Sequence, residues 1–174
     1  LVTGHTGFKG SWLSLWLHII GAKVYGISKE IVTKPSHYKS INLTGKVKEY
    51  FFDLSDFKRT KDTITKIKPD FIFHLAAQAI VKKSYDYPLA TWKSNLFSTL
   101  NILESIQKLN RKCHVITITS DKVYKNIEIE RGYNENDLLG GDDPYSASKG
   151  ATELLINSYL KSFLSKKILK FHYQ

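Results

Sequence analysis

The sequence contains no methionine, one cysteine and only three arginines among its 174 residues. A single cysteine excludes an internal disulfide, so a reducing cytoplasm is the expected location. Cys113 opens an apolar, strand-like run and reads as a small packed residue. Without a methionine there is no initiator, and Leu1 stands only a few residues before a glycine loop. The chain therefore reads as a fragment cut within its first strand. Long apolar runs are missing too. The longest, WLSLWLHIIGA at 12–22, is too short to span a bilayer and carries His18, so no membrane partner is expected. The scarcity of arginine qualifies the net charge of +10, which rests on 23 lysines scattered without a block. Nucleic-acid sites favour the bidentate arginine fork, so no nucleic-acid partner is expected. What remains is a solvated lysine surface with a mild pull on anionic ligands such as nucleotides.

What is present is regular alternation, with a hydrophobic content of 42%, enough for one domain with a core. Leu1–Thr3 reads as the tail of a strand, Gly4–Gly10 as a glycine loop, and Ser11–Ile20 as a helix packed on much of its circumference. KVYGI (23–27) and VKEYFF (47–52) read as strands around a polar, irregular segment at 28–45. Ser55 is the expected cap of a helix reaching about Ile67. FIFHLA (71–76) is a continuous apolar strand of the kind buried on both faces of a parallel sheet. A long helix is expected from about Pro88 to Leu109, then the strand HVITIT (114–119), a loop over 121–143 and a helix from about Pro144 to Phe163. Strand and helix alternate throughout, which predicts an α/β fold with a doubly wound parallel, Rossmann-like sheet. A single domain over 1–174 is expected, with the sixth strand and the C-terminal substrate-binding part missing.

The stretch TGHTGFKGS places Gly4, Gly7 and Gly10 three apart between a strand and a helix. A tight turn and a close backbone approach need residues without Cβ, and the N–H groups opening the helix then face a pyrophosphate. On these residues the chain resembles the extended branch of the short-chain dehydrogenase/reductase superfamily. The resemblance implies that Gly4, Thr6, Gly7, Phe8 and Gly10 form the pyrophosphate loop. It also implies that Asp53 and Leu54 lie beside the adenine, and that Ala76, Ala77 and Gln78 line the cofactor. An acid closing the second strand would bind the ribose hydroxyls of NAD; Ser28 stands there, followed by Lys29 and Glu30. Glu30 is one candidate for that contact, whereas Lys29 favours the phosphate of NADP. NAD is the expected cofactor, NADP is not excluded, and no metal is expected.

DPYSASKG (143–150) opens the last helix, with Tyr145 and Lys149 four apart and so on one face. A free phenol is a poor base at neutral pH, and a nearby ammonium lowers its pKa. Ser120, at the end of a strand, is placed to hydrogen-bond both a substrate hydroxyl and Tyr145. Asn95 matches the family's helix asparagine, which supports the lysine through water. Beside Ser120 stand Asp121 and Lys122. Oxidation of an alcohol needs neither, so an added acid and base imply an added proton transfer. Nucleotide-sugar 4,6-dehydratases make one, and TSDK resembles their set: Ser120 for oxidation at C4, Asp121 as the acid at C6, Lys122 as the base at C5. Tyr145 and Lys149 would serve both catalysis and cofactor. The stretches VTGHTGFKGSWLSLWL, FHLAAQAIVKKSY, TSDKVY and LGGDDPYSASKGATEL resemble the CDP-glucose branch of that family. That implies a nucleotide-sugar substrate and a homo-oligomer at full length. A UDP-N-acetylglucosamine 4,6-dehydratase, an epimerase or reductase, and a non-catalytic NAD-binding fragment are the alternatives.

Overall fold

Short apolar runs bounded by glycine, lysine and proline become the strands β1 (Val2–Thr3), β2 (Tyr25–Ser28), β3 (Lys48–Phe51), β4 (Phe71–His74), β5 (His114–Thr117) and β6 (Phe171–His172). The structure is a computed structural model that describes residues 1–164 and 171–172. All strand pairs are parallel, and the sheet order is β3-β2-β1-β4-β5-β6. The helices are α1 (Phe8–Ile19), α2 (His37–Ser40), α3 (Phe57–Ile67), α4 (Val81–Asp86), α5 (Pro88–Trp92), α6 (Ser98–Gln107) and α7 (Pro144–Tyr159). A π-helical turn, Lys93–Phe97, joins α5 to α6, and another, Leu160–Leu164, extends α7. The doubly wound expectation holds: the chain winds outward from β1 to β3, then returns across the sheet to β4 and winds the other way.

Alternation along the strands sends side chains to two apolar clusters. Ile27, Ile72 and Val115 join Ile64, Ile102, Leu103, Ile106 and Ile156 from α3, α6 and α7. Val2, Val24 and Val47 join Tyr38 and Leu43, with Leu13 and Leu17 of α1 against them. Among the described residues, no helix is long and apolar enough to cross a membrane.

Five local readings change. A sixth strand is present: Phe171 and His172 pair with Val115 and Ile116, a piece too short to show periodicity in the lysine-rich tail. Residues 165–170 and 173–174 lie outside the described residues. Asp56, not Ser55, caps α3, accepting the Arg59 N–H at 3.0 Å. α1 is not packed around its circumference, since Trp12 and Trp16 are 52% and 65% exposed. Its sheet-facing positions are the small Gly10, Ser11 and Ser14, and that close approach turns the bulky side chains outward. β4 is buried on both faces except at its start: Phe71 is half exposed and stacks on His114, while Phe73 packs against the cluster under α1. Finally, the segment read as irregular holds the short helix α2, the loop over 121–143 opens on a 3₁₀ turn, Asp121–Val123, and α4 lies in a stretch given no element.

Candidate active site

The loop after β1 is built by close approach. Gly4 has a left-handed backbone (φ +73°), and a Cβ there would stand 2.9 Å from the Ala76 nitrogen. A Cβ on Gly10 would run into the Gly4 carbonyl. Gly7 caps α1 with extended backbone and no side-chain cap, while its own N–H bonds the Gly4 carbonyl at 3.0 Å. The opening turn of this 12-residue helix thus presents N–H groups, with no side chain capping them. That donor set fits a pyrophosphate. Phe8 is exposed, whereas Thr6 is buried and turned toward β2. Its hydroxyl donates to the Glu30 carbonyl at 2.6 Å and its N–H to the Ser28 hydroxyl at 3.2 Å.

A buried network behind the loop escaped the sequence reading. His5 shares a hydrogen bond with Ser28 at 2.9 Å through Nδ1 and one with Glu49 at 2.9 Å through Nε2. The Tyr38 hydroxyl donates to the same Glu49 oxygen at 2.6 Å. Burial pushes His5 below its ordinary pKa. The ring occupies the space that a Cβ on Gly26 would need. The two partners of His5 lie 23 and 44 positions away, so no local spacing announces them.

Asp53 follows β3. Its Oδ1 accepts the Ser55 N–H at 2.9 Å and its Oδ2 meets the Lys29 ammonium at 3.0 Å. The Leu54 side chain lies in the core, and its carbonyl accepts from Thr60 and Asn101. After β4, Ala76 donates its N–H to Thr3 Oγ1 at 3.2 Å, the half-buried Ala77 follows, and the Gln78 N–H donates to Asn95 Oδ1 at 2.8 Å. Asn95 sits buried in the π turn rather than on a polar face, and its Nδ2 donates to Ser148 Oγ at 2.8 Å. It therefore ties the loop after β4 to α7 directly.

On α7, Pro144 opens the helix and Asp143 caps it, accepting the Ser146 N–H at 3.0 Å. Tyr145 and Lys149 are both buried. The Lys149 ammonium donates to the Ile118 carbonyl at 3.2 Å. Burial pushes its pKa down to about 8, against an opposing pull from Glu153. His74 lies behind it, bonded to Thr3 Oγ1 at 2.7 Å and Thr99 Oγ1 at 3.0 Å. Burial and the Lys149 charge push His74 down to about 3, so it is neutral. Cys113 is also removed from chemistry, since burial pushes its thiol up to about 11.

Ser120 does not meet Tyr145 as expected. Its hydroxyl donates to Asp121 Oδ1 at 3.0 Å and accepts the Lys122 N–H at 3.1 Å, because it caps the 3₁₀ turn that follows. Asp121 and Lys122 are exposed. They line a cavity of about 440 Å³ together with Tyr124, Tyr133, Asp143 and Ser146. Tyr124 and Tyr133 stack at 5.6 Å within that wall.

Residues 1–170 match the family model described as GDP-mannose 4,6 dehydratase. The chain belongs to the GDP-mannose 4,6 dehydratase family. Within reach of this dehydratase family, a CDP-glucose 4,6-dehydratase of Salmonella typhimurium is 43% identical over 164 residues, covering 94% of this chain and 46% of the relative. A dTDP-D-glucose 4,6-dehydratase of Dictyostelium discoideum is 33% identical over 180 residues, covering 94% of this chain and 40% of the relative. The solved UDP-glucose 4-epimerase of Thermus thermophilus, a complex with NAD, superimposes with a TM-score of 0.83 at 26% identity. That match covers 99% of this chain and 52% of the epimerase. The chain spans about half the length of the curated relatives it matches. The matched residues include the glycine loop, Asp121 and Lys122, and the helix that carries Tyr145 and Lys149.

Proposed function

We propose that residues 1–174 form the dinucleotide-binding domain of an NAD-dependent nucleotide-sugar 4,6-dehydratase, a hydro-lyase acting on CDP-glucose. The observation that carries this reading is the cavity at the end of β5, where Asp121 and Lys122 share a wall with the first turn of α7. The 43% identity to a CDP-glucose 4,6-dehydratase supports the choice of nucleotide and sugar. NAD is supported by the uncapped opening of α1 and by neighbours solved with it. When bound, NAD would accept the hydride from C4 and return it at C6. Tyr145 takes the C4 hydroxyl proton, with Lys149 one turn on along the same face of the helix. With a ketone at C4 the C5 proton becomes acidic. Lys122 removes it and later returns a proton to C5, while Asp121 delivers a proton to the C6 hydroxyl leaving as water. Ser120 aims the acid through its bond to Asp121. The work is cytoplasmic, and the product is a deoxysugar precursor.

The test uses a protein extended to the length of its relatives, with CDP-glucose. Lys122→Met should oxidise C4 yet retain the C6 oxygen, so that reduced nicotinamide accumulates at 340 nm in a single turnover. Asp121→Asn should stall at the same stage while C5 exchanges its proton with deuterated solvent. Release of the 4-keto-6-deoxy product at the wild-type rate by both variants would remove the dehydratase reading and leave a 4-epimerase or reductase.

A further inference from the structure

The last residue of β2 is not the acid that a doubly wound fold ordinarily places there, and Glu30 stands two residues beyond it. An NAD site has an acid closing β2, for the ribose hydroxyls, and an NADP site has a cation nearby for the 2′-phosphate. Here Ser28 closes β2, and it is buried, with its hydroxyl engaged by the Thr6 N–H and the His5 ring. It is therefore not available to a ribose. The next side chain, Lys29, is the cation of an NADP site by position. Yet its ammonium is held 3.0 Å from Asp53 Oδ2, and the other Asp53 oxygen is anchored on the Ser55 N–H at 2.9 Å. β2 and β3 are register neighbours, with Ser28 paired to Phe51. The ion pair thus bridges the two chain ends that flank the adenosine side of the sheet.

We infer that Lys29 and Asp53 together set dinucleotide specificity: Asp53 occupies the Lys29 ammonium and presents a carboxylate that repels a 2′-phosphate, so the site takes NAD rather than NADP. The inference rests on the dinucleotide reading above. It assigns two separate effects to Asp53. One is neutralisation of Lys29. The other is direct repulsion of a dianion arriving between the two strand ends. Both act on the 2′-phosphate alone, whereas any contact of Asp53 with the adenine acts equally on both dinucleotides and cancels in their ratio. The Ser55 contact survives in Asp53→Asn, because an amide oxygen still accepts that N–H, so the local turn is kept.

The experiment is titration of the chain with NADH and with NADPH, followed by the fluorescence of the bound reduced nicotinamide. The reading is the ratio of the two dissociation constants. Wild type should prefer NADH. Asp53→Asn should shift the ratio toward NADPH by about tenfold or more, as a freed charge-assisted hydrogen bond to phosphate requires. Lys29→Gln combined with Asp53→Asn should return most of that shift. Circular dichroism checks that each variant keeps the wild-type fold. An unchanged ratio in folded Asp53→Asn, or the same shift with and without Lys29, overturns the inference while NADH binding keeps the dinucleotide reading intact. Failure of wild type to bind either dinucleotide overturns both.

Discussion

Lys149 is costly to bury, and replacing it should make the protein more stable. Folding takes its pKa from the ordinary value of 10.5 to about 8. The folded pKa is lowered, so the folded state binds the proton less tightly than the unfolded chain does. The penalty is present in full below about pH 8 and fades as pH rises toward 10.5, where the unfolded chain also loses its proton. The difference of 2.5 units, 10.5 minus 8, corresponds to about 3 kcal/mol at pH 7 and about 2 kcal/mol at pH 9. Lys149→Met keeps the length and the apolar stem but removes the ammonium. It also loses the bond to the Ile118 carbonyl, about 1 kcal/mol. The variant should therefore exceed wild type by about 2 kcal/mol at pH 7, with the advantage gone by about pH 10. Glu153 raises the Lys149 pKa and the neutral His74 contributes no charge, so neither reverses the sign. Urea denaturation followed by tryptophan fluorescence between pH 7 and 10 measures it. A variant less stable than wild type at pH 7, or an advantage that does not change with pH, would refute the reasoning. The predicted gain would mark Lys149 as kept for chemistry rather than for folding.

Two further outcomes test the packing of α1 and its loop. The Ser14 hydroxyl is buried with no hydrogen-bond partner among the described residues. Ser14→Ala should be neutral or stabilise by about 1 kcal/mol, read as a rise in the thermal midpoint. A Cβ at Gly10 meets the Gly4 carbonyl, whereas one at Gly7 stands 3.3 Å from the same oxygen. Gly10→Ala should cost about 3 kcal/mol in urea denaturation, and Gly7→Ala under about 1 kcal/mol. Gly7→Ala should still weaken NADH binding, because its methyl group stands at the opening of α1. Equal stability losses at the two positions would show that the close approach at Gly10 does not govern the loop.

The order of strands and helices, the glycine loop and the placing of Tyr145 and Lys149 on one helix were legible because each is a local pattern. A glycine every third residue, a Tyr and Lys four apart, and an apolar run ending in Ser120-Asp121-Lys122 are short-range facts, and the backbone periodicities of 2 and 3.6 turn them into shared faces. What the fold alone decided are the partners of those residues. Ser28 binding His5, Lys29 meeting Asp53 and Asn95 reaching Gln78 and Ser148 join residues between 17 and 53 positions apart. Spacing along the chain carries no information about such pairs. The same holds for Ser120, whose hydroxyl went to the cap of its own turn, and for α1, whose large side chains face outward. An apolar residue shows in the sequence that it gains by burial, but only the packed sheet, with small residues at its closest approach, decides which ones obtain it.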